Sequence, residues 1–211
     1  MPAPGPSITV GERDALRSAV GATRDDAMIL QVGRMDPLKG HETHIRALGA
    51  LKDVPGWVCA MVGGAQRPEE EEYQAGLQRL AQEVGVGGRI RFLGERRDVP
   101  RLMQAADVFC QPNAWSEGLS IVWMEAFQVG LPIIAAANGT AQEFVGDGGI
   151  LVPANDVPEL ARALERVVRN PSVRRAMGAR GRTRVYALCD QERQLQMLFE
   201  FLSGVVNRRP E

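Results

Sequence analysis

Three absences in the sequence narrow the classes of protein to which it can belong. The three cysteines are odd in number, far apart and mostly within apolar runs, so they indicate reduced thiols rather than a disulfide framework. No stretch reaches the roughly 18 consecutive apolar residues that a membrane helix needs. The proline-rich amino terminus has neither the basic segment nor the apolar core of a signal peptide. We therefore expect a cytoplasmic protein.

The sequence also lacks an excess of either charge. Its 25 basic and 26 acidic residues leave a net charge of −1, so no overall field draws the chain to nucleic acid or to an anionic membrane. An anion site must be local, and a small phosphate ligand fits this balance better than DNA does. Because no metal-ligand spacing is present either, we expect no metal and no cofactor. What remains is the composition of one globular domain of 211 residues.

Apolar, strand-like runs alternate with helical patterns along most of the chain. The predicted strands are 28–32, 57–62, 89–93, 107–111, 133–136 and 149–152. Helical spacing follows the first four, near 40–51, 69–84, 98–106 and 118–129. Buried strands that alternate with helices indicate a parallel sheet covered on both faces, because each right-handed crossover helix packs back onto the sheet. The predicted fold is therefore α/β, a Rossmann-like, doubly wound parallel sheet of about six strands.

The two ends of the chain differ from this alternating region. Residues 1–25 are expected to form a leader or linker, with a short amphipathic helix near 12–20. The domain itself is expected over 26–203. Beyond residue 157 only helical patterns occur, broken near 170–171 and 189–190, so helices should complete the domain. Residues 204–211 are expected to be a tail.

The loop after the first predicted strand contains two cations. Ligands of an open parallel sheet bind beyond the carboxyl ends of its strands, so this loop lies where a site is expected. Gly33 and Arg34 follow the strand directly, and Lys39 stands just before the next helix. A guanidinium, an ammonium and the N–H groups of a helix start suit a diphosphate. The alternative is that both are solvated surface cations, since Leu38 stands where a phosphate loop requires glycine.

The fourth predicted strand leads into a segment with two carboxylates. Glu117 lies at the strand-to-helix turn, where Gly118 lets the backbone approach a ligand, and Glu125 lies about two turns further on. The helix is apolar nearly all round, so we expect it to be buried on most sides. A carboxylate there requires a polar partner, such as a ribose diol. The alternatives are that Glu125 marks a narrow solvent strip or pairs with a structural arginine.

Together, these two loops resemble the C-terminal donor domain of family-four retaining glycosyltransferases, which consist of two Rossmann-like domains in the GT-B arrangement. The resemblance covers roughly residues 26–190. Similar segments are Gly63-Gly64, Phe92-Leu93-Gly94, Ala105-Ala106-Asp107, Gly130-Leu131-Pro132-Ile133 and Gly149-Ile150-Leu151-Val152. The resemblance implies that the chain binds a nucleotide-diphosphate sugar, with UDP or GDP, as the donor half of a retaining, metal-independent enzyme of the hexosyltransferase class.

The resemblance also implies roles for individual residues. Arg34 and Lys39 would bind the donor diphosphate and stabilise it as it departs. Glu117 would contact hydroxyls of the transferred sugar, which makes it the third catalytic candidate, and Glu125 would hold the ribose. Backbone contacts are expected from Gly33, Gly94, Gly118, Leu119 and Ser120, with the loop at Gly94 bordering the base. Many family members have Glu-Gly-Phe-Gly or Glu-Gly-Phe-Pro where this chain has Glu-Gly-Leu-Ser, which leaves the identity of the sugar open.

The family carries an acceptor domain before the donor domain, whereas only about 25 residues precede the first predicted strand here. We therefore expect the acceptor domain to be absent and the isolated chain to be inactive without that domain or a partner chain. The alternative is a Rossmann-like binding or assembly module that does no chemistry. A nicotinamide-dependent oxidoreductase is disfavoured, because no Gly-x-Gly-x-x-Gly follows the first strand. The arginines at 174–184 either contact the inner membrane face or, the favoured reading, form a solvated helix face.

Four further side chains are kept apart from the site. His41 and His44 are three residues apart near a helix start, and without a third ligand they are expected at the surface or behind the site rather than on a metal. Trp123 is expected in the core. For Trp115, a core position and stacking on a base or sugar are equally favoured.

Overall fold

A single parallel sheet organises the computed structural model, which describes residues 6–116, 118 and 120–206. Its six strands within these residues are β1 (Ala27–Val32), β2 (Trp57–Val62), β3 (Ile90–Phe92), β4 (Val108–Gln111), β5 (Ile133–Ala136) and β6 (Gly149–Val152). They lie in the order β3-β2-β1-β4-β5-β6, and every neighbouring pair is parallel. All six predicted strands are confirmed, with bounds that differ by one residue in β1, β3 and β4.

Helices cover both faces of the sheet. They are α1 (Val10–Ala19), α2 (His41–Ala50), α3 (Pro68–Glu83), α4 (Val99–Ala105), α5 (Ile121–Gln128), α6 (Ala141–Val145), α7 (Val157–Arg169), α8 (Pro171–Leu188) and α9 (Gln191–Val206). Alternate residues of β1 point to opposite faces, so Ile29 belongs to one apolar core and Met28 and Leu30 to a second. The doubly wound α/β prediction is confirmed. The pattern did not predict α6, whose five residues are too few for a helical period to emerge.

The strand order places a crevice beside β1. The chain runs from β1 outward to β2 and β3 and then returns to β4 on the other side of β1. Loops that follow β1 and β4 therefore leave the sheet in opposite directions, and this switch point is where open α/β sheets bind ligands.

Helix α1 is packed onto the sheet layer rather than standing apart as a leader. It begins with a capping box, in which Thr9 and Glu12 bond reciprocally through side chain and backbone. Arg17 is 1% exposed and donates to Asp107 Oδ2 at 2.7 Å and to the Ala105 carbonyl at 3.0 Å. Since Asp107 also accepts from the backbone N–H of Met28, the carboxylate connects α1, β1 and the start of β4.

The arginines of α8 do not form one solvated face, which corrects the favoured interpretation of that segment. Arg174 is partly buried and donates to the last carbonyls of α7, including that of Val168 at 2.9 Å. Arg184 donates to the Phe144 carbonyl at 2.8 Å. Within the part of the chain that the structure describes, no helix is long and apolar enough to span a bilayer.

Candidate functional site

Glycine backbones join three loops at the carboxyl edge of the sheet. The N–H of Gly33, after β1, donates to the Val62 carbonyl at 2.9 Å, and the N–H of Gly63, after β2, donates to the Gly94 carbonyl at 2.9 Å. Gly63 has φ of 152°, and a Cβ there would lie 1.7 Å from the carbonyl oxygen of Gly33. Only glycine permits this approach. The structure thus brings Gly33 and Gly94, both predicted for the site, to one edge.

Lys39 lies at the switch point between β1 and β4. Its aliphatic stem covers Gly33, with Cγ 3.4 Å from the position that a Cβ on Gly33 would occupy. The next residue, Gly40, is left-handed with φ of 69°, and a Cβ on it would be 1.9 Å from the carbonyl oxygen of Pro112. The loop after β1 therefore packs main chain against main chain on the loop after β4, and Lys39 is held at the crevice between them.

Arg34 is anchored by two carboxylates. Its guanidinium lies 3.4 Å from Asp36 and 3.5 Å from Glu70, while 49% of its side chain stays exposed. Glu70 is in the first turn of α3, and its other oxygen accepts from the backbone N–H of Gln66 at 2.6 Å. Sequence reasoning missed this contact between Arg34 and Glu70, since it depends on β2 being the neighbour of β1.

The second predicted loop is described only in part. Glu117 and Leu119 lie outside the described residues. Gly118 is exposed, and Ser120 is buried as the N-cap of α5. Trp115 is 70% exposed, so its stacking alternative remains and its core alternative is excluded.

Glu125 is partly buried on α5, and its carboxylate makes no hydrogen bond or ion pair within the described part of the chain. Burial raises the pKa of this carboxyl. The alternative in which a structural arginine neutralises it is therefore excluded. Trp123 is 1% exposed and confirms the predicted core position, but Ile121 is 66% exposed, so α5 is less enclosed than its composition predicts.

Two helices begin at this edge without a side-chain cap. Gly40 precedes α2 and Ser120 precedes α5, and neither makes a side-chain hydrogen bond to its helix. Uncapped N–H groups and the positive end of the helix dipole attract anions, and Lys39 adds a full charge at the first of these helix starts. Chemically, the edge can bind a phosphate group and stabilise added negative charge on it. Among the described residues, no group of three or more His, Cys, Asp or Glu side chains is arranged to hold a metal ion.

His41 and His44 are fully buried, which excludes the surface alternative and leaves the one in which they lie behind the site. Helix α2 is enclosed by the sheet, α3 and α7, which a helical wheel of one segment cannot reveal. The centroids of the His41 and Tyr73 rings are 6.1 Å apart in an edge-to-face arrangement. His44 Nδ1 is 2.7 Å from Gln31 Oε1. Burial lowers the pKa of His41 to about 4 and the pKa of His44 to about 3.

We expect these two histidines to make the fold sensitive to mild acid. Their pKa values in the folded chain lie below the usual 6.5, so the unfolded chain binds more protons between pH 6.5 and 4. The contribution of the two histidines to the free energy of unfolding is complete above pH 6.5. It is lost as the pH falls, by about 1.4 kcal/mol per pH unit for each histidine. Urea denaturation between pH 7.5 and 5 measures this slope. His41→Phe/His44→Leu serves as control, because it removes both histidines of the sequence, and an unchanged slope in it would contradict the assignment.

Comparison with known proteins agrees with this architecture. A D-inositol 3-phosphate glycosyltransferase of Mycobacterium tuberculosis is 35% identical over 173 residues, which are 79% of this chain and 35% of the relative. Anabaena Alr3699/HepE, solved in complex with UDP-glucose, superimposes with a TM-score of 0.82 at 26% identity, over 93% of this chain and 54% of that one. The C-terminal domain of a group 1 glycosyl transferase (LpcC) from Francisella tularensis matches 90% of this chain and 98% of its own, with a TM-score of 0.74; at 19% identity this shows the fold alone.

The doubly wound sheet with a basic loop at its switch point is of the Rossmann-like class. More particularly, the chain belongs to the family of glycosyl transferases group 1, whose model matches residues 12–184. It spans about a third of the length of the mycobacterial relative and about half of the length of HepE. The resemblance to the C-terminal domain of two-domain glycosyltransferases is confirmed.

Proposed function

We propose that the chain binds a UDP-sugar as the donor half of a glycosyltransferase that retains the anomeric configuration and requires no metal. The observation that carries this proposal is the position of Lys39, whose stem covers Gly33 at the switch point beside an uncapped helix start. The family and the UDP-glucose complex of HepE support the same ligand class.

In this proposal the diphosphate lies between Lys39 and the starts of α2 and α5. Arg34, whose guanidinium is held by Asp36 and Glu70, presents its exposed part to the same anion. As the bond between sugar and diphosphate breaks, negative charge grows on the leaving phosphate. Fixed cations and helix dipoles stabilise that charge without rearranging, which lowers the barrier. Glu117 holds hydroxyls of the transferred sugar, whose bond to the diphosphate is replaced by a bond to an acceptor hydroxyl from another domain or chain. The proton of that hydroxyl leaves with the diphosphate.

The ribose is assigned to Glu125. Among the described residues, the partly buried carboxylate of Glu125 has no hydrogen-bond or ion-pair partner, and burial raises its pKa. Two vicinal hydroxyls would supply donors and favour the ionised form. The nucleotide base is assigned to the loop at Gly94. This loop follows the carboxyl end of β3, which is the outermost strand on one side of the sheet. Backbone contacts with the sugar and phosphates are assigned to Gly118, Leu119 and Ser120, as the family resemblance implies.

Ligands with and without a ribose test the assignment of Glu125. We expect Glu125→Ala to weaken binding of UDP and UMP about tenfold, because a charged hydrogen-bond acceptor for the ribose is lost. Binding of pyrophosphate, which has no ribose, should be unchanged. Isothermal titration calorimetry with the 211-residue chain provides the three affinities.

Glu83→Ala is the matched control, since Glu83 is an exposed carboxylate at the far end of α3. Equal losses for all three ligands would refute the ribose contact. Failure of the unaltered chain to bind UDP, UDP-glucose or GDP-sugars would refute the proposed function as a whole.

A further inference from the structure

A buried amide lies directly behind the Lys39 loop. Gln31 is 0% exposed on β1, in a strand that is otherwise apolar and pairs with Met61 of β2. Its Nε2 donates to the backbone carbonyl of Lys39 at 2.8 Å, and its Oε1 is 2.7 Å from Nδ1 of the buried His44. One side chain thus connects the central strand, the loop at the switch point and helix α2.

The protonation of His44 follows from this pair of bonds. A carbonyl oxygen can only accept, so the amide group that faces Lys39 must be the NH2 of Gln31, and the oxygen of Gln31 must face His44. His44 therefore donates from Nδ1 and is the neutral tautomer with Nε2 unprotonated. This Nε2 is buried and has no hydrogen-bond partner among the described residues.

Two hydrogen bonds of the Lys39 backbone, one at its N–H and one at its carbonyl, fix the direction of its side chain. On one side of the residue, the N–H of Lys39 donates to the carbonyl of Asp36 at 2.9 Å. On the other side, its carbonyl is held by Gln31. With both peptide groups of Lys39 fixed, its Cα–Cβ bond can point only across Gly33, where the stem lies. Among the described residues, the side chain of Gln31 is the hydrogen-bond donor to this carbonyl from the sheet side.

Such an arrangement is unfavourable for folding alone. An apolar residue at position 31 would pack in the core without a polar group that needs a hydrogen bond. A leucine at position 44 would remove the buried Nε2 that lacks a hydrogen-bond partner. Polar groups that are buried and incompletely satisfied occur where function requires a fixed geometry.

We propose that Gln31 and His44 are positioning residues that set Lys39 for the diphosphate of the donor. The inference rests on the proposed function, because it assumes that Lys39 contacts a phosphate. It assigns no contact with ligand to Gln31 or His44 themselves.

The test compares ligands that do and do not reach Lys39. Gln31→Met keeps the length of the side chain but removes both hydrogen bonds. We expect it to weaken binding of UDP and pyrophosphate about tenfold, as for the loss of one charge-assisted contact, and to leave uridine binding unchanged. In a Lys39→Ala background the same substitution should have no further effect on UDP binding, which gives a clear double-mutant cycle. A merely structural role would weaken all three ligands alike and would persist without Lys39.

Two variants of His44 provide a second test in case Gln31→Met does not fold. His44→Leu should reproduce the loss of UDP binding. His44→Asn places an amide NH2 where Nδ1 stands and should restore binding to within about twofold. Equal affinities of His44→Leu, His44→Asn and the unaltered chain would overturn the proposal, provided that the unaltered chain binds UDP. If the unaltered chain binds neither UDP nor pyrophosphate, the proposed function fails, and this inference fails with it.

The geometry itself can be tested without any ligand. The sequence has two histidines, so a ¹H–¹⁵N spectrum of the imidazole rings is simple to assign with His41→Phe. We expect His44 to carry its proton on Nδ1 from pH 8 to pH 6. A proton on Nε2 in place of Nδ1 would exclude donation from Nδ1 to the oxygen of Gln31 and refute the inference even if the donor binds.

Discussion

Lys39→Ala is expected to reduce the affinity of the chain for UDP by about 10- to 100-fold, which corresponds to the loss of a hydrogen bond between charged groups. Lys39 directly precedes Gly40, the N-cap of α2, where uncapped N–H groups already favour an anion, so we expect its charge and the helix dipole to act on the same phosphate. Titration calorimetry measures the change. Because the stem of Lys39 is packed on Gly33, the loss should shrink only partly as salt is added.

The sequence offers a closely matched control for this prediction. Its only other lysine is Lys52, which is exposed just beyond the carboxyl end of α2 and so lies at the opposite end of that helix. Lys52→Ala removes the same charge and should leave UDP affinity within about twofold, since a distant exposed charge is screened. A loss of the same size in both variants would show that overall charge, and not position, governs binding.

Gly63→Ala is expected to destabilise the fold by about 3 kcal/mol or more. The new Cβ would lie 1.7 Å from the carbonyl oxygen of Gly33, and hydrogen bonds hold the backbone of both residues in place. The loops after β1 and β2 must then separate, and the bond from Gly63 to Gly94 must lengthen. Urea denaturation, compared with that of the unaltered chain, gives the difference in free energy of unfolding.

Gly56→Ala separates the effect of the close contact from that of the backbone conformation. Gly56 also has positive φ, at 77°, but no atom lies within 4 Å of the position of its Cβ. It should cost only about 1 to 2 kcal/mol, the penalty of an L-residue in the left-handed region. If Gly63→Ala is no worse than Gly56→Ala, the loops at the carboxyl edge are not held as closely as described.

The parts of the fold that could be predicted from sequence are those governed by local pattern. A strand buried on both faces is an uninterrupted apolar run, so β2 and β5 have the predicted bounds. The apolar run of the edge strand β6, which is only partly buried, also has the predicted bounds. Pro171 marks the start of α8 in the same way, because proline suits the first turn of a helix. The short α6 has no such pattern and was missed.

The parts that could not be predicted depend on which elements become neighbours. Nothing in the loop after β1 indicates that Arg34 meets Glu70, since this follows from the pairing of β1 with β2. The choice between a surface position and a position behind the site stayed open for His41 and His44 for a related reason, because the enclosure of α2 on more than one side depends on its neighbours. One signal was available and not used. Gln31 is a polar residue within an apolar strand, and such a residue requires a partner.

The loops at the carboxyl edge are joined to one another through backbone atoms, from Gly94 through Gly63 and Gly33 to Gly40 and Pro112. These backbone contacts require small residues where the loops approach closely, and they do not depend on the identity of the other side chains. Under the proposed function, residues that project from these loops can therefore be exchanged over evolutionary time and the preferred sugar can change, while the backbone framework keeps its shape.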